Sequence, residues 1–313
     1  MKPGSPSSRL EVDAAGLRFQ NPVLLAAGTA AYGRELQDVV ELDRLGGLVT
    51  KAVSPRPRDG ARAPRVAEFS GGMINAVGLA NPGMAVVRDS ELPWLASHIE
   101  RARVLVNVVG DAPEDFAIVV AHLDDSKGLD GFELNVSCPN VKAGGMEFGA
   151  DPDTLRDVVT RARNATRRPV FVKLSPTLVD IARTAAVAVD AGADGITVVN
   201  TIPGLVVDLE RRRPALGFGS GGVSGVALLP VGVLATWRVA RAVKVPVIGV
   251  GGVASAEDAL QYLVAGASLV AMGTASMRDP RAAERVVKEL EHWCTRHGVR
   301  SIREVIGTLE WTQ

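Results

Sequence analysis

The sequence predicts an α/β fold, a parallel barrel, and three observations carry that expectation. Eight short apolar runs rich in β-forming residues alternate with segments of helical spacing. Each run is nearly continuous in its hydrophobicity, the mark of a parallel strand covered on both faces. The 313 residues suit one barrel of the usual ~250 residues with additions. An open, doubly wound sheet of about six or seven strands is the alternative that pattern alone leaves.

The elements follow in order. Residues 1–8 are polar and rich in Pro and Ser and read as a disordered tail; no apolar stretch follows to make a signal peptide. Residues 9–20 read as a β-hairpin with its turn at Ala15–Gly16, placed to plug the barrel bottom. The expected strands are 22–26, 47–50, 104–109, 131–136, 170–174, 195–199, 247–250 and 269–272. Between them, 34–44, 113–124, 153–163, 177–191, 229–242 and 255–265 carry apolar residues at helical spacing. Asp153 and Ser255 read as N-caps, whose side-chain oxygens accept free N–H groups of a first turn. Gly192 and Gly266 read as the left-handed residues that end helices. The stretches 51–103 and 200–228 far exceed the usual βα loop of about 2–6 residues. They fall where lids and substrate loops belong. The whole is expected to be a single (β/α)8 TIM-barrel domain over 1–313, with an N-terminal β-hairpin and long loops on the C-terminal face.

Composition excludes several functions. Basic and acidic residues balance at 35 each, which gives no electrostatic footprint for nucleic acid and no basic tail for an anionic membrane. No run approaches the ~18 apolar residues of a membrane span, so the expected location is the cytoplasm. Two cysteines, Cys138 and Cys294, argue against a disulfide framework. They also cannot hold an iron–sulfur cluster, which needs about four ligands. His98, His122, His292 and His297 show no metal-ligand spacing, and the last two are expected on the surface of a C-terminal helix.

In a barrel, functional groups sit at the C-terminal ends of strands. There the apolar runs give way to Lys51, Asn107, Asn135 with Ser137-Cys138-Pro139-Asn140, Lys173, Asn200-Thr201, Gly251-Gly252 and Gly273-Thr274. The glycines after the last two strands offer bare N–H groups for a phosphate; tight turns without a ligand are the alternative. Lys173, at mid-barrel, needs an anion to offset its burial. That anion is either the reduced edge of a flavin or a structural partner such as Glu133. Asn107 and Asn135 both donate and accept, which suits a flavin edge or a substrate amide, and equally suits ordinary core bonding. Cys138 stands on a Gly-rich loop at the active face and can act as general base toward an acidic C–H; a buried structural thiol is the alternative. The segment Asn75-Ala76-Val77-Gly78-Leu79 lets backbone approach a planar ligand, or is a plain turn. The basic run 56–65 reads as a solvated loop with no chemistry of its own.

Taken together, NPVLLAAGT, TKAVSPRPRDGARAPRVAE, GGMINAVGLANPG, ELNVSCPNVKAGGMEFG, VKLSP, VNT, GGVSG, IGVGGVAS and MGTAS resemble class 1 dihydroorotate dehydrogenases, closer to the 1B subtype. The resemblance runs over about residues 10–310, and SCPNVKAGG and INAVGLANPG are its specific motifs. It implies FMN on the C-terminal face and oxidation of dihydroorotate to orotate in pyrimidine synthesis. Cys138 would remove the C5 proton while hydride passes from C6 to flavin N5. Lys51, Asn75, Ala76, Val77, Gly78, Leu79, Asn135, Asn200 and Thr201 would hold the orotate ring and carboxylate. Ala27, Lys51, Ala52, Asn107, Asn135, Lys173, Val199, Gly225, Gly251, Gly252, Gly273 and Thr274 would hold FMN. Ala27 departs from the family pattern, where relatives often carry Ser. The resemblance further implies a homodimer that passes electrons to NAD through a second subunit with FAD and a 2Fe–2S iron–sulfur cluster. The Ser base and N-terminal membrane helix of class 2 relatives are not expected here. Two other readings stand beside it: a flavin-holding scaffold or electron-transfer subunit without turnover of its own, and another FMN barrel acting on uracil-like rings. NAD, fumarate and quinone all remain open as terminal acceptors.

Overall fold

Strands buried on both faces satisfy their backbone groups only by pairing along both edges. In the computed structural model, which describes residues 8–137, 139–140 and 146–311, eight of them do so by closing a ring. These are β1 (Val23–Leu25), β2 (Gly47–Val49), β3 (Arg103–Val108), β4 (Gly131–Asn135), β5 (Val170–Leu174), β6 (Gly195–Val198), β7 (Val247–Val250) and β8 (Leu269–Met272). Each pairs in parallel with the next, and β8 returns to β1 through Val270↔Val23, Ala271↔Leu24 and Met272↔Leu25. The open sheet is thereby excluded.

Helices Pro113–Leu123, Pro152–Asn164, Ile181–Asp190, Leu229–Ala242, Ala256–Ala265 and Ala282–Arg296 follow β3 to β8 in turn. Ser255 caps its helix as expected, in a reciprocal pair with Asp258. Gly192 and Gly266 end theirs at φ 107° and 116°. His292 and His297 are exposed. Three boundaries differ from expectation. Pro152 takes the first helical position, where its missing N–H costs nothing. The cap is therefore Asp151, accepting from Thr154 N at 2.8 Å, and not Asp153. The helix expected from 177 starts at Ile181, because Asp180 caps it and Thr177 bonds Ser175 instead. The helix expected over 34–44 is two 3-10 turns, Arg34–Leu36 and Leu42–Arg44. Glu41 breaks the run at ψ 79°. The adjacent β-branched Val39 and Val40 lower its helix preference, and so short a segment does not recover the cost of helix nucleation.

The N-terminal hairpin pairs Val12–Ala14 with Leu17–Phe19 around Ala15 and Gly16, both at positive φ. It lies at the barrel bottom, where Arg103 Nε donates to Arg18 O at 2.9 Å and Gln20 Nε2 to the carbonyls of Asp43 and Leu45. Leu10, Val12 and Phe19 are buried there. Of the expected tail, residues 1–7 lie outside the described residues, and Ser8 opens the 3-10 turn Ser8–Leu10.

The two long excursions are not separate loops. Val66–Phe69 and Gly72–Asn75 come from the first, Ile202–Gly204 and Gly221–Ser224 from the second. They form one four-stranded antiparallel sheet, joined across the excursions by Gly72–Asn75 and Gly221–Ser224. A hydrogen bond of 2.8 Å between Thr274 Oγ1 and Ser224 Oγ ties this sheet to the end of β8. The basic run is largely exposed, but its Arg58 exchanges backbone hydrogen bonds with Asn81 at 2.9 and 3.0 Å.

Candidate active site

Parallel register decides which side chains share the barrel interior. Lys173 is paired with Asn135 on one side and Thr197 on the other, and Asn107 with Glu133. Paired positions of adjacent strands point the same way, as do residues two apart on one strand. Asn107, Glu133, Asn135, Lys173 and Thr197 therefore form one polar face, and all five are buried.

Their hydrogen bonds do not close on themselves. Asn107 Nδ2 donates to Glu133 Oε1 at 2.7 Å. A carboxylate can only accept, so the amide oxygen of Asn107 must point away from it. That Oδ1 has no partner among the described residues, and neither does Thr197 Oγ1. Lys173 makes no ion pair among the described residues, and Glu133 accepts from Asn107. Buried polar groups are normally satisfied. Two orphaned oxygens and an unpaired ammonium on one face are the complement of a ligand with its own donors and negative charge.

Asn135 and Asn200 are joined at the mouth. Ser137 Oγ donates to Asn135 Oδ1 at 2.8 Å, and Asn200 Nδ2 donates to Ser137 Oγ at 2.6 Å and to Asn135 Oδ1 at 3.4 Å. Asn200 Oδ1 in turn accepts from Thr201 N at 2.8 Å. Lys51 follows β2, half-buried, its backbone N–H on Ala31 O at 2.7 Å. Cys138 lies outside the described residues. Beside it in sequence, Pro139–Asn140 pairs antiparallel with Met146–Glu147.

Asn75 opens the segment 75–79 and donates to Gly222 O at 3.2 Å, across the four-stranded sheet. Ala76 N and Val77 O bond Arg65 O and Ala61 N. Gly78 and Leu79 take φ 69° and 56°. The buried Asn81 fixes this turn: its Oδ1 accepts from Ser54 N and Gly83 N, and its Nδ2 donates to Ser54 Oγ and Leu79 O, both at 2.8 Å.

A second set of unpaired groups lies after β6, β7 and β8. Gly225, Gly251 and Gly252 take φ 105°, 128° and 76°, conformations that only glycine adopts without strain. Among the described residues, the N–H groups of Gly225, Gly251, Gly252 and Gly273 donate to no acceptor. Thr274 opens a short helix directly after Gly273. Free glycine amides at strand ends are groups that can hold an anion such as phosphate. Ala27 lies partly exposed just past β1, Ala52 is buried after β2, and Val199 N bonds Val250 O at 3.0 Å.

Sequence reasoning passed over Glu133 as a group that orients Asn107, named Ser137 at a strand end without a role, and passed over Thr197, Asn81 and both tyrosines. The tyrosines had a signal. The chain has only two, both in apolar surroundings, and a buried phenol needs a partner for its hydroxyl. Tyr32 OH donates to Ala52 O at 3.2 Å and Tyr262 OH to Gly251 O at 2.7 Å. Burial pushes both phenols above their ordinary range, so both stay protonated donors.

The donor set fits a flavin mononucleotide. An unpartnered acceptor and hydroxyl share one buried face with Lys173, and four glycine N–H groups donate to no acceptor among the described residues. No group of His, Cys, Asp and Glu able to hold a metal occurs among the described residues. No described helix is long and apolar enough to cross a membrane.

Comparison with known proteins gives a consistent picture. The family described as dihydroorotate dehydrogenase matches residues 9–294. The catalytic subunit of dihydroorotate dehydrogenase B (NAD(+)) from Pelobacter propionicus is 44% identical over 301 residues, 96% of this chain and 98% of that one. The same subunit from Geobacter sulfurreducens is 42% identical with equal coverage. Among solved structures, dihydroorotate dehydrogenase from Eimeria tenella in complex with ferulenol superposes with a TM-score of 0.83 at 26% identity, covering 98% of this chain and 90% of that one.

Proposed function

Because the chain belongs to the dihydroorotate dehydrogenase family, we propose that it binds FMN at the C-terminal mouth of the barrel and oxidises dihydroorotate to orotate in pyrimidine synthesis, with Cys138 as base. The observation that carries this reading is Lys173. Its side chain is largely buried and makes no ion pair among the described residues, in register with Asn135 and Thr197 on the face that also carries the unpartnered oxygen of Asn107.

Lys173, Asn107 and Asn135 hold the ring edges. Gly225, Gly251, Gly252, Gly273 and Thr274 hold the phosphate, and Ala27, Lys51, Ala52 and Val199 line the site. When bound, FMN supplies the two-electron acceptor for the hydride. Lys51 and the amides of Asn75, Asn135 and Asn200 hold the substrate ring and carboxylate, with Thr201 and the 76–79 backbone closing around them. Cys138 takes the C5 proton as thiolate. A free thiol titrates near ~8.5, so the rate rises with pH toward the thiol pKa. Base catalysis of this kind contributes roughly 10²–10⁴ in rate.

The relatives are named as catalytic subunits of an NAD-linked enzyme. This supports electron transfer to NAD through a separate partner subunit, which on this reading carries FAD and a 2Fe–2S cluster and serves a homodimeric catalytic core. Two cysteines cannot hold such a cluster within this chain.

The purified protein should be yellow and should bleach under anaerobic dihydroorotate. A fully flavinated sample that keeps its colour with that substrate overturns the reading. Dihydrouracil, which lacks the carboxylate, should reduce it far more slowly; equal rates would favour an enzyme of uracil-like rings. Co-purification of an FAD and iron–sulfur subunit tests the electron route.

A further inference from the structure

We infer that Tyr262 is a positioning residue for the phosphate of FMN: its hydroxyl pins the Gly251 carbonyl and so aims the Gly252 N–H into the cradle. The inference rests on the flavin reading above and goes beyond it, since that reading gives Tyr262 no role. Tyr262 sits on the helix Ala256–Ala265 and is fully buried. Its ring threads between two glycines on different elements. A Cβ on Gly232 would fall 1.9 Å from the Tyr262 hydroxyl, and one on Gly249 would fall 2.2 Å from Cδ1 of the ring. The channel exists only because both positions lack a side chain. It delivers the hydroxyl to Gly251 O at 2.7 Å.

The consequence follows from the peptide plane. The C=O of Gly251 and the N–H of Gly252 belong to one planar trans unit and point in opposite directions. A carbonyl held toward the helix turns the next amide away from it, and that amide has no acceptor among the described residues. Two successive glycines at positive φ have wide backbone freedom. Without the tyrosine, binding the phosphate would have to order this turn at an entropic cost.

The test uses apoprotein titrated with FMN and, separately, with riboflavin, which has the same ring and no phosphate. Tyr262→Phe keeps the ring in its channel and removes only the hydroxyl. FMN affinity should weaken about five- to tenfold, the size of one neutral hydrogen bond, while riboflavin affinity stays unchanged. Equal weakening of both flavins, or of neither, overturns the inference. Should Tyr262→Phe fail to fold, Gly232→Ala crowds the hydroxyl from the other side and must show the same selective loss. Wild-type apoprotein that binds neither flavin, or that binds riboflavin as tightly as FMN, refutes the cofactor reading itself, a result distinct from failure of the tyrosine's role.

Discussion

Lys173→Met keeps the length of the side chain and removes its charge, and its effect on the apoprotein should oppose its effect on cofactor binding. Lys173 is 6% exposed and meets no carboxylate among the described residues. Taking an ammonium out of water costs several kcal/mol even after relaxation, and water at the mouth offsets part of it; a net gain of about 1–3 kcal/mol for the apoprotein follows. Unfolding entropy of about 2.1 cal/mol/K per residue, applied to 313 residues, is about 0.66 kcal/mol/K. The apoprotein Tm should therefore rise by about 1.5–4.5 °C. The flavin should respond the other way. Loss of the cation facing its anionic edge should weaken FMN tenfold or more and make the flavin harder to reduce, because a charge pair at about 4 Å is worth up to about 4 kcal/mol at an effective dielectric of about 20. Thermal melts of apoprotein, FMN titration by fluorescence quenching and a redox titration read all three. A lower apoprotein Tm with unchanged FMN affinity would make Lys173 an ordinary structural residue and refute the reasoning.

Cys138→Ala should retain FMN and slow anaerobic reduction by dihydroorotate about 10²–10⁴-fold; stopped-flow reduction at normal speed removes the base assignment. Glu133→Leu leaves the Asn107 amide free to turn and its Nδ2 unpaired, which should cost about 1–3 kcal/mol of stability and weaken FMN, measured by denaturant melts and cofactor titration. Asn81→Ala removes the clamp on the 75–79 turn and should raise the KM for dihydroorotate severalfold with a smaller change in kcat; the reverse split would place the turn away from substrate. Asp151 caps its helix, and the Thr154 hydroxyl and amide hold its carboxyl below the ordinary range. Its contribution is present above the ordinary aspartate pKa and is lost as pH falls through the lowered one. Asp151→Asn caps without titrating and should flatten the acid limb of the Tm–pH curve, leaving Tm at neutral pH nearly unchanged.

The strands were legible because a doubly buried parallel strand is a run of apolar residues. The strand-end polar groups were legible because they interrupt those runs. The glycine turns after β7 and β8 could be read from glycines that fall where strands stop. Three features could not be read, each for a physical reason. The 34–44 segment has helical spacing, but one residue's ψ decides between a helix and two turns. The choice of Asp151 over Asp153 rests on which residue precedes Pro152, a local contest that apolar periodicity does not see. The pairing of Gly72–Asn75 with Gly221–Ser224 joins segments about 150 residues apart, and neither strand carries a signal that names its partner. Lys173 lies in the barrel interior as its sequence position implies, but only the structure shows that Glu133, the carboxylate weighed as its partner, accepts from Asn107.

The shared sheet of the two excursions makes them a single heritable module. Asn75, proposed to hold substrate, donates to Gly222, three residues before Gly225, proposed to hold the phosphate. A length change or graft in one excursion should shift the other's hydrogen-bond register and, on the proposed function, disturb both ligands at once. Attempts to transplant substrate preference from a relative should exchange residues 51–103 and 200–228 together, because a chimera with one of them would mismatch the strands that join them.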